Sequence, residues 1–338
     1  MNRQEPFSEG RTNPNRVSRR YAQGETHPVR TNRYRDDSDD PLSHYQRIDV
    51  TGLEPTLRSR TRRRRRPGCG CGPFVLLLPV LFIFLVYLLI PLRTNILILG
   101  LDSRPNEGNV SRTDTNIVLS VIPLKPVVNM LSIPRDLWVN IPYFGENRIN
   151  TAHFFAEANQ AGSGPAMAME TVRQNFGMTI DYYVRLRFDG FKDIVDAMGG
   201  INLELAEPMS GYEAGKHHLN GEEALAFVRD RKGTDDFYRM ERGQMMIIAT
   251  VKRLMNPLVW FRLPWILGAV LDSVDTDIPV WEMPRIGFAV LRGVVGGTID
   301  NRTITREMTY PMTTSDGAAV LVPDWTAINP TLMELFGE

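Results

Sequence analysis

The sequence predicts an α/β fold: a three-layer-like sandwich around a central mixed sheet, preceded by one transmembrane helix. Three observations predict it. Between Asn95 and Asp136, apolar and partly β-branched runs are separated by Gly, Pro and Asn, the mark of successive strands. Beyond Thr151, helical and extended patterns alternate, as they do where helices cover a largely buried sheet. Ahead of both, residues 73–92 read PFVLLLPVLFIFLVYLLIPL, a charge-free run of about the 20 residues needed to cross a hydrocarbon core.

The chain has 338 residues with 39 Lys+Arg and 39 Asp+Glu, and the zero balance hides an asymmetry. Residues 1–72 are rich in Arg, Pro, Ser and Asn and poor in large apolar groups, so they cannot bury a core and are expected to be a disordered basic tail. The block Arg62–Arg66 precedes the apolar run, and only Arg93 follows closely. Positive charge stays inside, which puts the tail in the cytoplasm and everything after Arg93 outside the cell membrane in a single-pass, signal-anchor arrangement. A cleaved signal peptide would have a shorter apolar region, nearer the N-terminus and ending in small residues. Pro79 should kink the span mildly. The arginine block suits anionic headgroups and already has a topological role, so no nucleic-acid partner is expected. The only cysteines, Cys69 and Cys71, sit in GCGCG at the cytoplasmic edge, either as plain small residues or as lipidation sites. The exported part therefore relies on a core without disulfides.

In that part, strands are expected at Ile96–Leu101, Asn116–Ile122, Val127–Ile133 and Leu137–Ile141. Helices follow over Thr151–Gln160 and Pro165–Phe176, split by Gly162-Ser163-Gly164, with Pro165 suited to a first turn. Ile180–Phe188 reads as a strand, Phe191–Met198 as a helix capped by Asp189 and ended by Gly199-Gly200, and Ile201–Leu205 as a strand. A helix from Gly221 should end about Val228, and a long one should start about Phe237, capped by Asp235 or Asp236. Trp260, Phe261, Trp265, Ile266 and Leu267 make an unusually aromatic stretch, either ordinary core or a lipid contact. A late strand is expected over Arg302–Pro311 and a closing helix from Trp325 to Phe336. The domains are then 1–72 as tail, 73–92 as anchor, 93–312 as the exported unit and 313–338 as a segment packing on or extending it.

Charge gathers where the strands end. Side chains at i and i+2 of an extended chain share a face, so Asp102 should pair with Arg104 and Arg112 with Asp114 on one rim, near Arg135 and Asp136. Either these are surface ion pairs closing loops, or they hold a divalent cation with a phosphate-rich ligand, since carboxylates suit the metal and guanidinium forks suit phosphate oxygens. Arg229 and Arg231 would align only in extended chain. Arg239 and Arg242 stand one helical turn apart near a helix start, where free N–H groups favour an anion; the alternative is a solvated charged face.

In order, GLDSR, RTDT, SIPRD, RIN, IDYYV, VDAMGG, LNGEEALAFVRDR and DDFYRMERGQ resemble the LytR-CpsA-Psr family over roughly Asn95 to Pro311. The resemblance implies a membrane-anchored phosphotransferase that moves a glycopolymer, such as teichoic acid, capsule or a related wall polymer, from a polyprenyl pyrophosphate carrier to peptidoglycan, releasing polyprenyl phosphate. It also implies a hydrophobic pocket for the lipid beside the sheet. By motif, Asp102 and Asp114 match the pair that holds Mg2+ (or Mn2+), and Arg112, Arg135, Arg229, Arg231 and Arg239 match the arginines around the pyrophosphate. The acidic residue of the last motif is Asp235 or Asp236, of which Asp236 has the expected spacing before Arg239. Gly243 separates Arg242 from Gln244, a departure from that motif. Two rivals remain at this stage, a polyprenyl-pyrophosphate hydrolase and a non-catalytic lipid-binding or regulatory membrane protein. Neither an HExxH nor a G-x-S-x-G site occurs, and His217-His218 reads as a surface doublet.

Overall fold

A computed structural model describes residues 72–102, 108–230, 236–296 and 298–337; for 72–76 and Asp236 it describes the backbone alone. After helix α1 (Gly72–Leu88) come strands β1 (Thr94–Leu101), β2 (Thr113–Ile122) and β3 (Val127–Ser132), then the hairpin β4 (Trp138–Ile141) and β5 (Gly145–Arg148). Helices α2 (Thr151–Asn159) and α3 (Gly164–Phe176) lead to β6 (Tyr182–Arg187), α4 (Phe188–Ala197) and the hairpin β7 (Ile201–Leu205) and β8 (Gly215–Leu219). Next are α5 (Gly221–Arg229), α6 (Asp236–Leu254), a 3-10 turn (Pro257–Arg262), α7 (Leu263–Ser273), β9 (Val274–Thr276) and α8 (Met283–Gly296). The chain closes with β10 (Thr298–Thr303), the hairpin β11 (Thr309–Thr313) and β12 (Ala319–Pro323), and α9 (Trp325–Phe336).

The central mixed sheet runs β10-β3-β2-β1-β6-β9 among the described residues. Strand β1 lies antiparallel to β2 and parallel to β6, and β10 lies parallel to β3. The alternation of NILILGL sorts its side chains. Leu97 and Leu99 join a core with α2, α3 and α9, while Ile96 and Ile98 face Ile247 and Ile248 of α6 and Ile286 of α8. Covered on both faces, such a strand must be apolar throughout. A third cluster, from α4, α5, α7 and the β7–β8 hairpin, flanks the sandwich.

These strand directions give the sheet two unlike ends. Leu101 pairs with Thr113 and with Arg187, and Ser132 pairs with Ile117 and Thr303. The ends of β1, β3, β6 and β10 and the start of β2 therefore share one rim. Gly100 is required there, because a Cβ would come within 2.8 Å of Thr115 Cβ and 3.2 Å of the Phe188 ring. At the opposite end, Arg93 donates to the Leu335 carbonyl at 2.8 Å and the Gly337 carbonyl at 3.2 Å, capping α9. Arg285 donates to Thr94 Oγ1 at 2.8 Å and the Leu92 carbonyl at 3.2 Å, and the Tyr87 hydroxyl donates to the Trp281 carbonyl. Helix α8 crosses this end, with Gly293 close to Val128.

Among the described residues no single helix is long and apolar enough to cross a membrane; Phe237–Leu254 and Pro257–Ser273 reach that length and composition together but are bent by 87°. Helix α1 has 17 residues, with Pro79 inside it.

Several expectations need correction. Asp189 lies inside the first turn of α4, which begins at Phe188, so it is not the cap. The late strand over Arg302–Pro311 is two strands, β10 and β11, separated by a 3-10 turn. His217 and His218, read as a surface doublet, are that: partly to fully exposed on β8, just before α5. Trp260, Phe261, Trp265 and Leu267 are exposed by 57%, 82%, 68% and 56%, so they are not core; Ile266 alone of that group is buried. The tail, with Arg62–Arg66, Cys69 and Cys71, lies outside the described residues.

Candidate active site

Arg229 is the last residue of α5 and reaches back to the end of β1, where its Nη2 donates to Asp102 Oδ1. Its guanidinium carbon lies 5.3 Å from the centre of the Phe188 ring, a cation–π contact that fixes the fork's plane. The helix that delivers it is anchored at its start by a capping box between Asn220 and Glu223 and by Asp196 Oδ1, which accepts from the Gly221 N–H at 2.7 Å. Expected to end near Val228, the helix includes Arg229 and is one residue longer.

Asp114, at the start of β2, accepts from Arg135 Nη1 at 2.7 Å. Arg135 also lies 3.4 Å through Nε from Asp136, whose other oxygen is 3.3 Å from Arg148 Nε. Backbone bonds hold this turn: Asn150 N–H to the Arg135 carbonyl at 3.3 Å, and Leu321 N–H to the Asp136 carbonyl at 3.0 Å. From α6, Phe237, Arg239 and Met240 close a small cleft with Asp114, Pro134, Arg135, Asp136 and Leu321. Arg239 is 9% exposed there. Leaving Arg239 in the first turns of α6 opposes the helix dipole, but it adds a guanidinium at a helix start, the end that favours anions.

The structure thus brings Asp102 with Arg229, and Asp114 with Arg135 and Arg239, to one rim. The expected Arg112–Asp114 pair is not formed. Arg112 is exposed just before β2, and Arg135 takes the carboxylate instead, because the sheet brings the turn after β3 alongside the start of β2. Arg104, Arg231 and Asp235 lie outside the described residues, as does the Asp236 side chain. Arg242 is neither solvated nor in the cleft: it is fully buried and donates to Ser210 Oγ at 2.9 Å and the Asp230 carbonyl at 2.5 Å. Burial holds its pKa below the usual arginine value. Gln244, also buried, ties α6 to Ser132 Oγ and the Arg302 carbonyl, both at 2.9 Å. Residue reading missed Arg148 and Phe188 as supports; the RIN tripeptide was the only trace of Arg148.

Behind the rim, His153 Nδ1 donates to the Ser111 carbonyl at 2.9 Å, next to Arg112, and its Nε2 accepts from Arg185 Nη1 at 3.2 Å. Arg185 also pairs with Glu157 at 3.1 Å and Asp275 at 2.6 Å. Burial pushes the His153 pKa down, which keeps the ring neutral. Burial alone would raise that of Glu157, but N–H donors of Gly162 and Gly164 and the Arg185 charge outweigh it and hold the carboxyl below its usual range.

Among the described residues no group of three His, Cys, Asp or Glu forms a self-sufficient metal cage. Asp102 and Asp114, each next to the paired residues Leu101 and Thr113 of adjacent strands, fit a different donor set. Mg2+ is commonly held by one or two carboxylates, with phosphate oxygens and water completing its shell.

The profile of the LytR_cpsA_psr family matches residues 92–335. The polyisoprenyl-teichoic acid–peptidoglycan teichoic acid transferase TagU of Oceanobacillus iheyensis is 37% identical over 202 residues, 57% of this chain and 61% of the relative. Regulatory protein MsrR of Staphylococcus aureus is 30% identical over 195 residues, 55% of this chain and 57% of the relative. The chain thus spans about three fifths of the length of these curated relatives. Among solved structures, B. subtilis TagV is 29% identical with a TM-score of 0.57, covering 72% of this chain and 97% of TagV. TagT bound to LIIa-WTA, 21% identical with a TM-score of 0.57 over 73% of this chain and 91% of TagT, shares the fold. With the profile matched from the segment before β1 into α9, and with the sheet shared by those structures, the chain belongs to the LytR_cpsA_psr family.

Proposed function

We propose that the chain is a membrane-anchored phosphotransferase that moves a glycopolymer from a polyprenyl pyrophosphate carrier to peptidoglycan outside the cell, forming a phosphodiester and releasing polyprenyl phosphate. One observation carries this reading: two carboxylates and three guanidiniums from β1, β2, the turn after β3, α5 and α6 converge at one rim. That relatives are named teichoic acid transferases supports the glycopolymer class. The exposed apolar helix α1, leading directly into β1, supports the anchor, and the arginine block before it supports an extracellular site.

Arg135, Arg229 and Arg239 grip the pyrophosphate oxygens, and the motif match adds Arg112 and Arg231 to that role. Guanidinium forks bind phosphate bidentately, which Lys cannot do. The acceptor hydroxyl oxygen bonds to the polymer-side phosphorus as the bond from that phosphorus to the bridging oxygen breaks, and the lipid phosphate leaves with the electron pair. Asp102 or Asp114 accepts the hydroxyl proton. A divalent cation held by those carboxylates supplies charge neutralisation at the pyrophosphate. Such transfer needs little covalent help from the protein, so positioning and charge stabilisation carry most of the rate. The prenyl chain is assigned to the side of the sheet under helices α6 and α8, where the packed apolar side chains would have to part to admit it.

The test incubates the full chain in detergent with a lipid-pyrophosphate oligosaccharide, peptidoglycan fragments and Mg2+. Mass spectrometry should find glycan joined to peptidoglycan through a phosphodiester. Free glycan phosphate, formed equally with and without acceptor, would instead establish a hydrolase.

A further inference from the structure

The end of the sheet opposite the charged rim carries a collar of large apolar side chains that the proposed chemistry does not use. Trp260, Phe261 and Trp265 are exposed by 57%, 82% and 68%, and Val280 and Trp281 by 75% and 71%. Both groups can be located. Helix α5 has Arg229 at the rim and Gly221 against Lys192 and Asp196, so the far end of α4 is remote from the rim. There Arg253 of α6 donates to the Met198 and Gly199 carbonyls at 3.3 and 3.2 Å, and Arg262 lies against Gly199, which puts the Pro257–Arg262 turn at the remote end. Trp281 meets Tyr87 at the foot of α1, and the neighbouring Arg285 binds Leu92 and Thr94 at the remote end of β1. Between Pro257 and Gly268 the only charged residue is Arg262.

We infer that this collar docks into the outer leaflet of the bilayer at headgroup depth, a deeper claim that rests on the anchoring reading. Indole rings with an apolar body and an N–H settle at that depth, and a long cationic side chain such as Arg262 can snorkel toward water. Helix α1 leaves the domain on the same side, so the collar and the anchor meet one membrane. An apolar surface of this kind, exposed to water, would otherwise be an aggregation liability. The rim then stands about one strand above the lipid: eight residues of β1 at about 3.3 Å each is about 26 Å.

Tryptophan placement makes this measurable. The five tryptophans are Trp138, Trp260, Trp265, Trp281 and Trp325, and none precedes Trp138, so α1 is dark. Trp138 follows the Arg135 turn, and the Trp325 ring packs edge-on against Phe176, 5.3 Å between centroids; neither belongs to the collar. The full chain is reconstituted into vesicles of phosphatidylglycerol and phosphatidylcholine with brominated acyl chains, and tryptophan fluorescence is read after flotation. Wild type should lose about half its emission, whereas the variant W260F/W265F/W281F, floating equally, should lose almost none. Flotation without quenching of wild type, or equal quenching of the variant, overturns the docking and leaves the anchor standing. Failure to float overturns both. Crosslinking between copies through the collar, without quenching, would assign it to a second copy of the chain and also overturn the inference.

Discussion

At the charged rim, the Arg229 and Arg135 side chains reach Asp102 and Asp114 with 40% and 24% of their surface exposed. At the other end, Arg285 is 8% exposed and pairs with Glu282 at 2.6 Å while holding Leu92 and Thr94. The chemistry is the same guanidinium and carboxylate, but the setting differs. A buried, fully bonded arginine is a structural joint, because moving it leaves polar groups without partners. A partly exposed pair contributes less stability and can exchange its partner for a ligand. The difference teaches that function follows the rim's accessible pairs, not the count of ion pairs.

The largest expected effect separates the two ends most sharply. Replacing Arg229 with Ala should lower the transfer rate by about 100- to 1,000-fold, as for loss of one key electrostatic group, and leave the melting temperature nearly unchanged. A collapse of stability with retained rate would break the comparison. Arg285→Ala should do the reverse, costing about 3 kcal/mol in urea unfolding with the rate per folded molecule preserved, since it strands Glu282 and the Thr94 hydroxyl. Gly100→Ala should cost about 1–3 kcal/mol, because the new methyl meets Thr115 within 2.8 Å; a rate loss greater than the stability loss would sharpen the role of rim geometry.

The smallest effect is a pH dependence. The folded state depresses His153 below its ordinary 6.5 and Glu157 below its ordinary 4.5. The unfolded chain therefore binds more protons than the folded one as pH falls through each value, and stability is lost in that direction. Thermal melts should drop between about pH 7 and about pH 5, and His153→Gln should flatten the upper part of that slope.

Much of the sheet was legible because local pattern dictates it. The runs in β1, β2 and β3 stood at their observed positions within three residues, and Asp102, Asp114 and Arg135 could be read as strand-end charges. Short strands such as β5 (GENR) and β9 (VDT) were not legible, since neither carries alternation and only a partner strand makes them extended. Arg242 illustrates a harder failure. Its helical spacing from Arg239 was read correctly, yet 3.6 residues per turn places neighbours on a face without saying what that face meets.

By itself, the sequence determined most strands and helices, the apolar run, the charge asymmetry and the charges Asp102, Asp114 and Arg135 at strand ends, because these depend on neighbours along the chain. Only the tertiary structure decided that Asp102 takes Arg229, 127 residues away, that Asp114 takes Arg135 in place of Arg112, and that the tryptophans of Pro257–Ser273 face outward. Periodicity specifies a side chain's direction within its own element. Its partner is set by how elements pack, and that is a property of the whole chain.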